Sequence, residues 1–210
     1  YISMDFELNE EQKLIKEAAS DFARQVLSPT VLERDETQTF PTEEIKQLAG
    51  LGFMGMMVDP AYGGSGLDTM SYVLAMEELS KIDAAASVIM SVNNSLVCWG
   101  LEKYGSSQQK EKYLPDLCNG TKIGAFCLSE PEAGSDATSQ KTRAVKKGDY
   151  YEITGTKNWI TNGSSASIYL VIAQTDPSKG HKGISAFIVE KNSPGFEVGP
   201  KENKLGIRSS

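Results

Sequence analysis

The stretch from Phe126 to Asp136 is the clearest candidate for a chemical site in this sequence. The apolar run from Ile123 to Leu128 should form a buried strand. Pro, Gly and several side-chain acceptors then break the run between Ser129 and Asp136. A turn at a strand end presents backbone N–H groups and hydroxyls, which can bind anionic or polar ligand groups. We therefore expect a ligand-binding turn here, although an ordinary solvated loop has the same composition.

A second candidate is the segment from Lys157 to Asn162, which contains Trp159 and Thr161. A Trp beside a hydroxyl donor offers a flat apolar face together with a hydrogen bond, which a planar cofactor ring requires. A Trp packed into the core from a strand is the alternative interpretation.

Other catalytic side chains are scarce. His181 is the single histidine, so a zinc site or a Ser-His-Asp triad within this chain is not expected. Cys98, Cys118 and Cys127 form no C-x-x-C pair, and we expect them to be reduced core residues. The glycine cluster at 62–66 lacks the spacing of a phosphate-binding loop and is interpreted as a turn. Any chemistry should therefore come from a cofactor.

Composition narrows the class of partner. The chain has 210 residues, of which 40% are hydrophobic and 23% charged, as in a globular protein. Its net charge of -7 argues against nucleic acid as the main partner. We expect the apolar runs to be too short to span a bilayer. We also see no charged-then-apolar signal peptide at the start, and we expect a soluble, intracellular protein.

Helical patterns fill the first part of the chain. Side chains suited to helix N-caps precede apolar residues at helical spacing at Asn9, Thr42, Asp68, Asp83 and Ser106. The helix after Asp83 is apolar almost all round, which predicts a central, buried helix. Asn93 and Asn94 within it must then find hydrogen-bond partners in the core or at a ligand.

Strand-like runs fill the second part. They lie at 142–147, 150–154, 168–175, 184–190 and 196–199, separated by turn residues. Helices followed by strands in blocks predict an α+β fold with an antiparallel sheet. We place a helical domain at 1–120 and an incomplete β-domain at 121–210.

Both candidate segments resemble signatures of a known family. The stretch from Cys127 to Asp136 resembles the signature of the flavin-dependent acyl-CoA dehydrogenases, and the stretch from Gly155 to Asn162 resembles their second flavin segment. Shorter matches at 62–66, 76–78, 104–106, 182–184 and 204–208 extend the resemblance over essentially the whole chain. The segment from Ser91 to Leu96 is most similar to the short-chain, butyryl-CoA type.

This resemblance implies a helical domain, a middle β-domain and a third, helical domain that the sequence lacks. It also implies FAD as cofactor and conversion of a short-chain acyl-CoA thioester to the trans-2-enoyl-CoA. In the family mechanism a glutamate removes the α-proton while the β-hydrogen leaves as hydride to flavin N5. That glutamate is expected beyond residue 210, so we assign no catalytic residue here.

The resemblance also implies roles for residues of the two segments. The expected cofactor-binding residues are Phe126, Cys127, Leu128, Ser129, Gly134, Ser135, Trp159, Ile160 and Thr161. The hydroxyl of Ser129 would bind the pyrimidine edge of the flavin, Trp159 would pack near the ring, and Thr161 would bind N5. Ser135 would also contact the pantetheine part of the substrate.

Three hypotheses follow. The first is a part of a short-chain acyl-CoA dehydrogenase subunit that passes electrons to an electron-transferring flavoprotein, as a homotetramer in the cytoplasm or the mitochondrial matrix. The second is a shortened paralogue that binds acyl-CoA or flavin without turnover. The third is an interaction module that keeps only the scaffold. A reading frame that continues past Ser210 with a Tyr-Glu-Gly-Thr-like segment would favour the first.

Overall fold

The computed structural model describes residues 6–210, and its helices precede its strands as the sequence predicts. The helices are α1 (Glu10–Phe22), α2 (Val31–Thr37), α3 (Thr42–Gly50), α4 (Thr69–Ser80), α5 (Ala84–Ser91), α6 (Trp99–Tyr104) and α7 (Ser107–Cys118). The strands are β1 (Gly124–Cys127), β2 (Arg143–Lys147), β3 (Tyr150–Thr154), β4 (Ile168–Gln174) and β5 (Ile184–Glu190). The α+β order is thereby confirmed. The domain boundary near residue 120 stays a prediction, and residues 1–5 of the first domain lie outside the described residues.

Helix starts follow the local sequence closely. Side-chain oxygens accept hydrogen bonds from first-turn N–H groups, as predicted, at Asn9, Asp68, Asp83 and Ser106. The expected cap at Thr42 is wrong by one residue. Thr42 is already helical, and the N-cap is Pro41, whose carbonyl accepts from the N–H of Ile45.

A continuous helical segment runs from Ala84 to Tyr104 and changes pitch in its middle. Between α5 and α6 the residues Val92–Cys98 form a π-helical stretch. The whole segment is long and apolar enough to cross a bilayer, so the expectation that every apolar run is too short is wrong. Of its most apolar part, 56% is buried inside the protein, as in a core helix. The prediction of burial on all sides is wrong in part, because Leu96 and Trp99 remain exposed.

The π-helical stretch carries the two asparagines for which we expected partners. The Asn93 amide donates to the carbonyls of Met54 (2.8 Å) and Leu117 (3.1 Å). Its Oδ1 accepts from the N–H of Gly124 (2.9 Å), the first residue of β1. Asn94 accepts from the N–H of Met56 at 2.7 Å. Both amides therefore find their partners in the core, and Asn93 joins the helices to the sheet.

The sheet is mixed, so the expected antiparallel sheet is wrong in part. Central strand β4 pairs antiparallel with β5 along its whole length. It pairs parallel with β1 and, at one residue pair, with β2, while β2 and β3 form an antiparallel hairpin. The parallel pairing of β1 and β4 is allowed because residues 128–167 form a long connection between them, far longer than a hairpin turn.

The last predicted strand, Phe196 to Gly199, is not formed. These residues are irregular, and the Phe196 ring packs against Tyr169 with 4.5 Å between the ring centroids. The aromatic contact, rather than a backbone ladder, fixes this segment on the sheet.

One of three apolar clusters among the described residues joins the helices to the sheet. Side chains of α6 and α7 pack with Ile168 and Leu170 of β4. At Gly124 an added Cβ would lie 2.5 Å from a methyl group of Val97, so only glycine allows β1 to come this close to the helix. All three cysteines are buried and free, as predicted.

We expect Asn93→Ala to lower the free energy of unfolding by about 2 to 4 kcal/mol, because it leaves buried backbone groups without partners. Urea unfolding followed by circular dichroism measures the change. The control is Asn192→Ala at an exposed position, which should change stability by less than about 0.5 kcal/mol. Equal effects of the two substitutions would contradict the role of Asn93.

Candidate functional site

The two candidate segments lie side by side. The first leaves the end of β1, and the second follows β3. The N–H of Asn158 donates to the carbonyl of Ser129 at 2.9 Å. Gly155, at the start of the second segment, lies close to the backbone just before β2, where an added Cβ would be 2.7 Å from the Cα of Thr142. The sequence therefore brings its two conspicuous motifs together in one place.

A buried ion pair joins the same two segments. Lys157 Nζ lies 2.7 Å from Glu130 Oε1, and their side chains are 9% and 3% exposed. The ammonium also donates to the carbonyl of Leu128 (3.0 Å) and to Gln140 Oε1 (3.2 Å). The Glu130 carboxylate further accepts from the N–H of Thr142 at 3.1 Å. Both charges are thus compensated by several hydrogen bonds.

These contacts decide the protonation of Glu130. Burial by itself would raise the pKa of the carboxyl group. Hydrogen bonds from Lys157, Thr142 and Lys141 outweigh burial and lower the pKa to about 2. Glu130 is therefore ionised at neutral pH and is far too weak a base to remove a carbon-bound proton.

Trp159 occupies an unusual backbone position. Its φ is 58°, a left-handed conformation that is rare for a bulky residue, and its side chain is 70% exposed. The alternative of a Trp packed in the core of a strand is therefore wrong. Asn162 also has a positive φ of 65°, but it is buried, and its amide donates to the carbonyl of Gly124 at 3.0 Å. The turn is thus anchored at Asn162 while the indole remains open to solvent.

An open groove of about 1020 Å³ runs along the face of the sheet next to this turn. Four of the nine predicted cofactor residues line it, namely Cys127, Trp159, Ile160 and Thr161. The other five do not line the groove, namely Phe126, Leu128, Ser129, Gly134 and Ser135.

Strand alternation explains part of this division. Successive side chains of β1 point to opposite faces of the sheet. Phe126 packs against the helices, whereas Cys127 packs with Ala125 and Tyr169 on the groove side. Burial raises the pKa of the Cys127 thiol to about 12 despite the nearby charge of Lys157, so this thiol is neutral and acts as an apolar wall.

Hydroxyl groups at the site are available to a ligand. Within residues 6–210, we find no hydrogen-bond partner for the side chains of Ser129, Ser135 and Thr161. Ser129 and Thr161 are half-buried, while Ser135 is exposed two residues beyond the turn that the Glu130–Ala133 bridge closes. Asp136, by contrast, is occupied, because it accepts hydrogen bonds from Thr138 and Ser139.

Sequence reasoning missed the pairing of Glu130 with Lys157. Both residues belong to the quoted motifs, Glu130 close to the end of β1 and Lys157 as the one charged residue of the second segment. Their separation in sequence left no local spacing rule that could connect them. Basic residues that line the far part of the groove, Lys201, Lys204 and Arg208, were also not predicted as site residues.

We expect the pH dependence of stability to report the Glu130 pair. Because the pKa falls from 4.5 to about 2 on folding, the ionised carboxylate stabilises the protein fully above pH 4.5. That contribution is lost as pH falls toward 2. Glu130→Gln should therefore destabilise most at neutral pH, and its difference from the wild type should shrink between pH 4.5 and 2, as measured by urea unfolding.

The matched control is Glu132→Gln, an exposed glutamate two residues further along the same turn. It should change stability by less than about 0.5 kcal/mol and leave the pH profile unaltered. A Glu130→Gln protein whose pH profile parallels that of the wild type would rule out the proposed ionisation.

Comparisons with known proteins follow the same division of the chain. The sequence matches the acyl-CoA dehydrogenase N-terminal domain over residues 9–121 and the acyl-CoA dehydrogenase middle domain over residues 125–210. The short-chain specific acyl-CoA dehydrogenase of Clostridium acetobutylicum is 46% identical over 207 residues, which cover 99% of this chain and 55% of the relative. The chain thus spans about half the length of the curated relatives it matches.

Solved structures of acyl-CoA dehydrogenases are similar to this chain in fold and in sequence. Butyryl-CoA dehydrogenase from Megasphaera elsdenii has a TM-score of 0.94 and 46% identity, covering 98% of this chain and 55% of that chain. A glutaryl-CoA dehydrogenase from Mycobacterium smegmatis in complex with FADH2 has a TM-score of 0.90 and 37% identity, covering 96% of this chain and 51% of that chain.

Proposed function

Because the chain belongs to the acyl-CoA dehydrogenase family, we propose that its gene product binds FAD and dehydrogenates a short-chain acyl-CoA thioester. The product would be the trans-2-enoyl-CoA, and the electrons would pass to an electron-transferring flavoprotein. The observation that carries this proposal is the hydrogen-bonded contact of the two flavin-type segments at Ser129 and Asn158, beside an open groove.

The residues present fit a flavin. The groove joins an exposed indole, Trp159, to an apolar wall that includes Ile160 and to the unpartnered hydroxyl of Thr161. A planar, partly apolar ring with hydrogen-bonding edges needs this combination. The carbonyl of Ser129 accepts from the N–H of Asn158 of the second segment, and we assign the Ser129 hydroxyl to another edge of the same ring from the family resemblance, since this side chain does not line the groove. Bound FAD would supply the hydride acceptor that no side chain can replace.

We assign the chain's own residues to binding and positioning. Thr161 would donate its hydroxyl hydrogen to flavin N5, and Ser129 would bind the pyrimidine edge. Donors placed where negative charge develops stabilise the transition state without transferring a proton themselves. Phe126, Cys127, Leu128 and Gly134 would shape the cofactor site, Trp159 and Ile160 would pack near the ring, and Ser135 would contact the pantetheine arm.

The proton-abstracting base is proposed to lie outside this sequence. Glu130 is held as a carboxylate by Lys157, and Asp136 accepts hydrogen bonds within its own turn. Neither is therefore assigned as a base. A glutamate beyond residue 210 would take the α-proton.

The preference for short acyl chains is proposed from the relatives, since both the clostridial and the Megasphaera proteins carry short-chain names. A homotetramer in the cytoplasm or the mitochondrial matrix remains our expectation for the complete protein.

We expect Thr161→Val to slow reduction of the bound flavin by butyryl-CoA by about 5- to 150-fold, the equivalent of about 1 to 3 kcal/mol for a buried partner left without its hydrogen bond. Stopped-flow absorbance on the full gene product measures the rate. The matched control is Thr154→Val on the exposed edge of β3, which should leave the rate within about twofold of the wild type. An unchanged rate in the Thr161→Val protein would remove Thr161 from the site.

We also expect residues 1–210 alone to lack dehydrogenase activity, because the assigned site residues bind and position but do not remove the α-proton. The assay is butyryl-CoA-dependent dye reduction with added FAD, run beside the full gene product. Turnover by residues 1–210 at a rate near that of the full product would contradict the assignment and return Glu130, Glu132 and Asp136 to consideration.

A further inference from the structure

We propose that Glu130 and Lys157 form a positioning pair, which sets FAD affinity by holding the two flavin segments in register without contacting the cofactor. This inference rests on the proposed function. It assigns a task to two buried charges that the proposed chemistry does not use.

Two consecutive residues of the second segment hold two consecutive carbonyls of the first. Lys157 Nζ donates to the carbonyl of Leu128 at 3.0 Å, and the N–H of Asn158 donates to the carbonyl of Ser129 at 2.9 Å. A slip of either segment by one residue would break both bonds. The pair therefore fixes the register between the segment that carries Ser129 and the segment that carries Trp159 and Thr161.

Lys157 has no donor left for a ligand. A lysine ammonium has three N–H donors, and three protein acceptors surround this one, on Leu128, Glu130 and Gln140. Although Lys157 borders the groove, its charge is already compensated inside the protein. Its effect on a bound cofactor must therefore act through the geometry of the turn.

Glu130, which does not line the groove, connects the first segment to the second segment and to the sheet. Its carboxylate accepts hydrogen bonds from the ammonium of Lys157 and from the N–H groups of Lys141 and Thr142, which lie just before β2. The first segment is thereby tied at once to the second segment and to the sheet. A buried pair contributes little net stability compared with apolar packing, but it specifies one geometry, because any other leaves a charge unpaired.

The position of Trp159 depends on the geometry that the Glu130–Lys157 pair fixes. Trp159 follows Lys157 and Asn158 directly and has a left-handed backbone conformation that a free loop would avoid. The Glu130–Lys157 pair and the Asn158–Ser129 hydrogen bond keep the chain in this conformation. Loss of the pair should therefore let the indole and the nearby Thr161 move away from the positions that face the groove.

The test compares Lys157→Met, Glu130→Gln and the double variant in the full gene product. FAD is removed, and its dissociation constant is measured on reconstitution by quenching of flavin fluorescence. We expect each variant to raise the dissociation constant at least about tenfold, by analogy with metal sites, where loss of a residue that orients the ligands weakens binding by about 10- to 100-fold. The visible circular dichroism of bound flavin should also weaken, because its orientation is less fixed.

The matched control is Asp83→Asn in the helical part. Asp83 forms a comparably buried pair with Arg34 at 2.7 Å, with side chains 1% and 6% exposed. Asparagine keeps the helix cap that Asp83 provides. We expect this variant to lower the melting temperature of the apoprotein as much as Glu130→Gln does, but to change the FAD dissociation constant by less than about twofold. If the Glu130–Lys157 pair had only a structural role, Glu130→Gln and Asp83→Asn would have the same effect on the FAD dissociation constant.

A single variant leaves one buried charge without its partner and could fail to fold for that reason. The double variant carries neither charge, and its FAD affinity then tests the inference. Wild-type affinity and an unchanged flavin spectrum in the double variant would overturn the inference while leaving the proposed function intact. A wild-type gene product that takes up no FAD would overturn the proposed function and the inference together.

Discussion

The fold depends on buried side-chain amides that satisfy the backbone where helices meet the sheet. β1 begins against a helix, and the N–H of its first residue, Gly124, points away from the neighbouring strand. Asn93 accepts this hydrogen, and Asn162 donates to the carbonyl of the same residue. An unpaired backbone group in this interior would cost as much as a lost hydrogen bond. The two asparagines therefore fix the start of the strand whose other end opens into the first flavin-type segment.

Features that depend on neighbours in sequence could be predicted. The caps at Asn9, Asp68, Asp83 and Ser106 satisfy N–H groups only a few residues away, so residue type and spacing suffice to find them. The same holds for the β2–β3 hairpin, where Gly148 supplies the positive φ of the turn. The requirement that Asn93 and Asn94 find partners also followed from burial, although their identity did not.

Features that depend on distant contacts could not be predicted in this way. Whether β4 pairs parallel or antiparallel with β1 is decided by the path of the connection, which periodicity does not contain. Phe196 lies in a strand-like run, yet its contact with Tyr169 prevails over backbone pairing. At the site, the motifs identified Trp159 and Thr161, but the left-handed turn that exposes the indole and the pairing of Glu130 with Lys157 require the folded chain.

The π-helical stretch between α5 and α6 has a consequence for insertions and deletions. An α-helical residue turns the chain by about 100°, and a wide turn holds one extra residue relative to a regular helix. Loss of one residue from Val92–Cys98 would therefore be absorbed by a return to regular α-helical pitch, with Leu101 still buried and Trp99 still exposed. Loss of a second residue, with no extra residue left to remove, would rotate everything that follows by about 100° and turn Leu101 out of the core. The segment should thus accept a single deletion more readily than a double one.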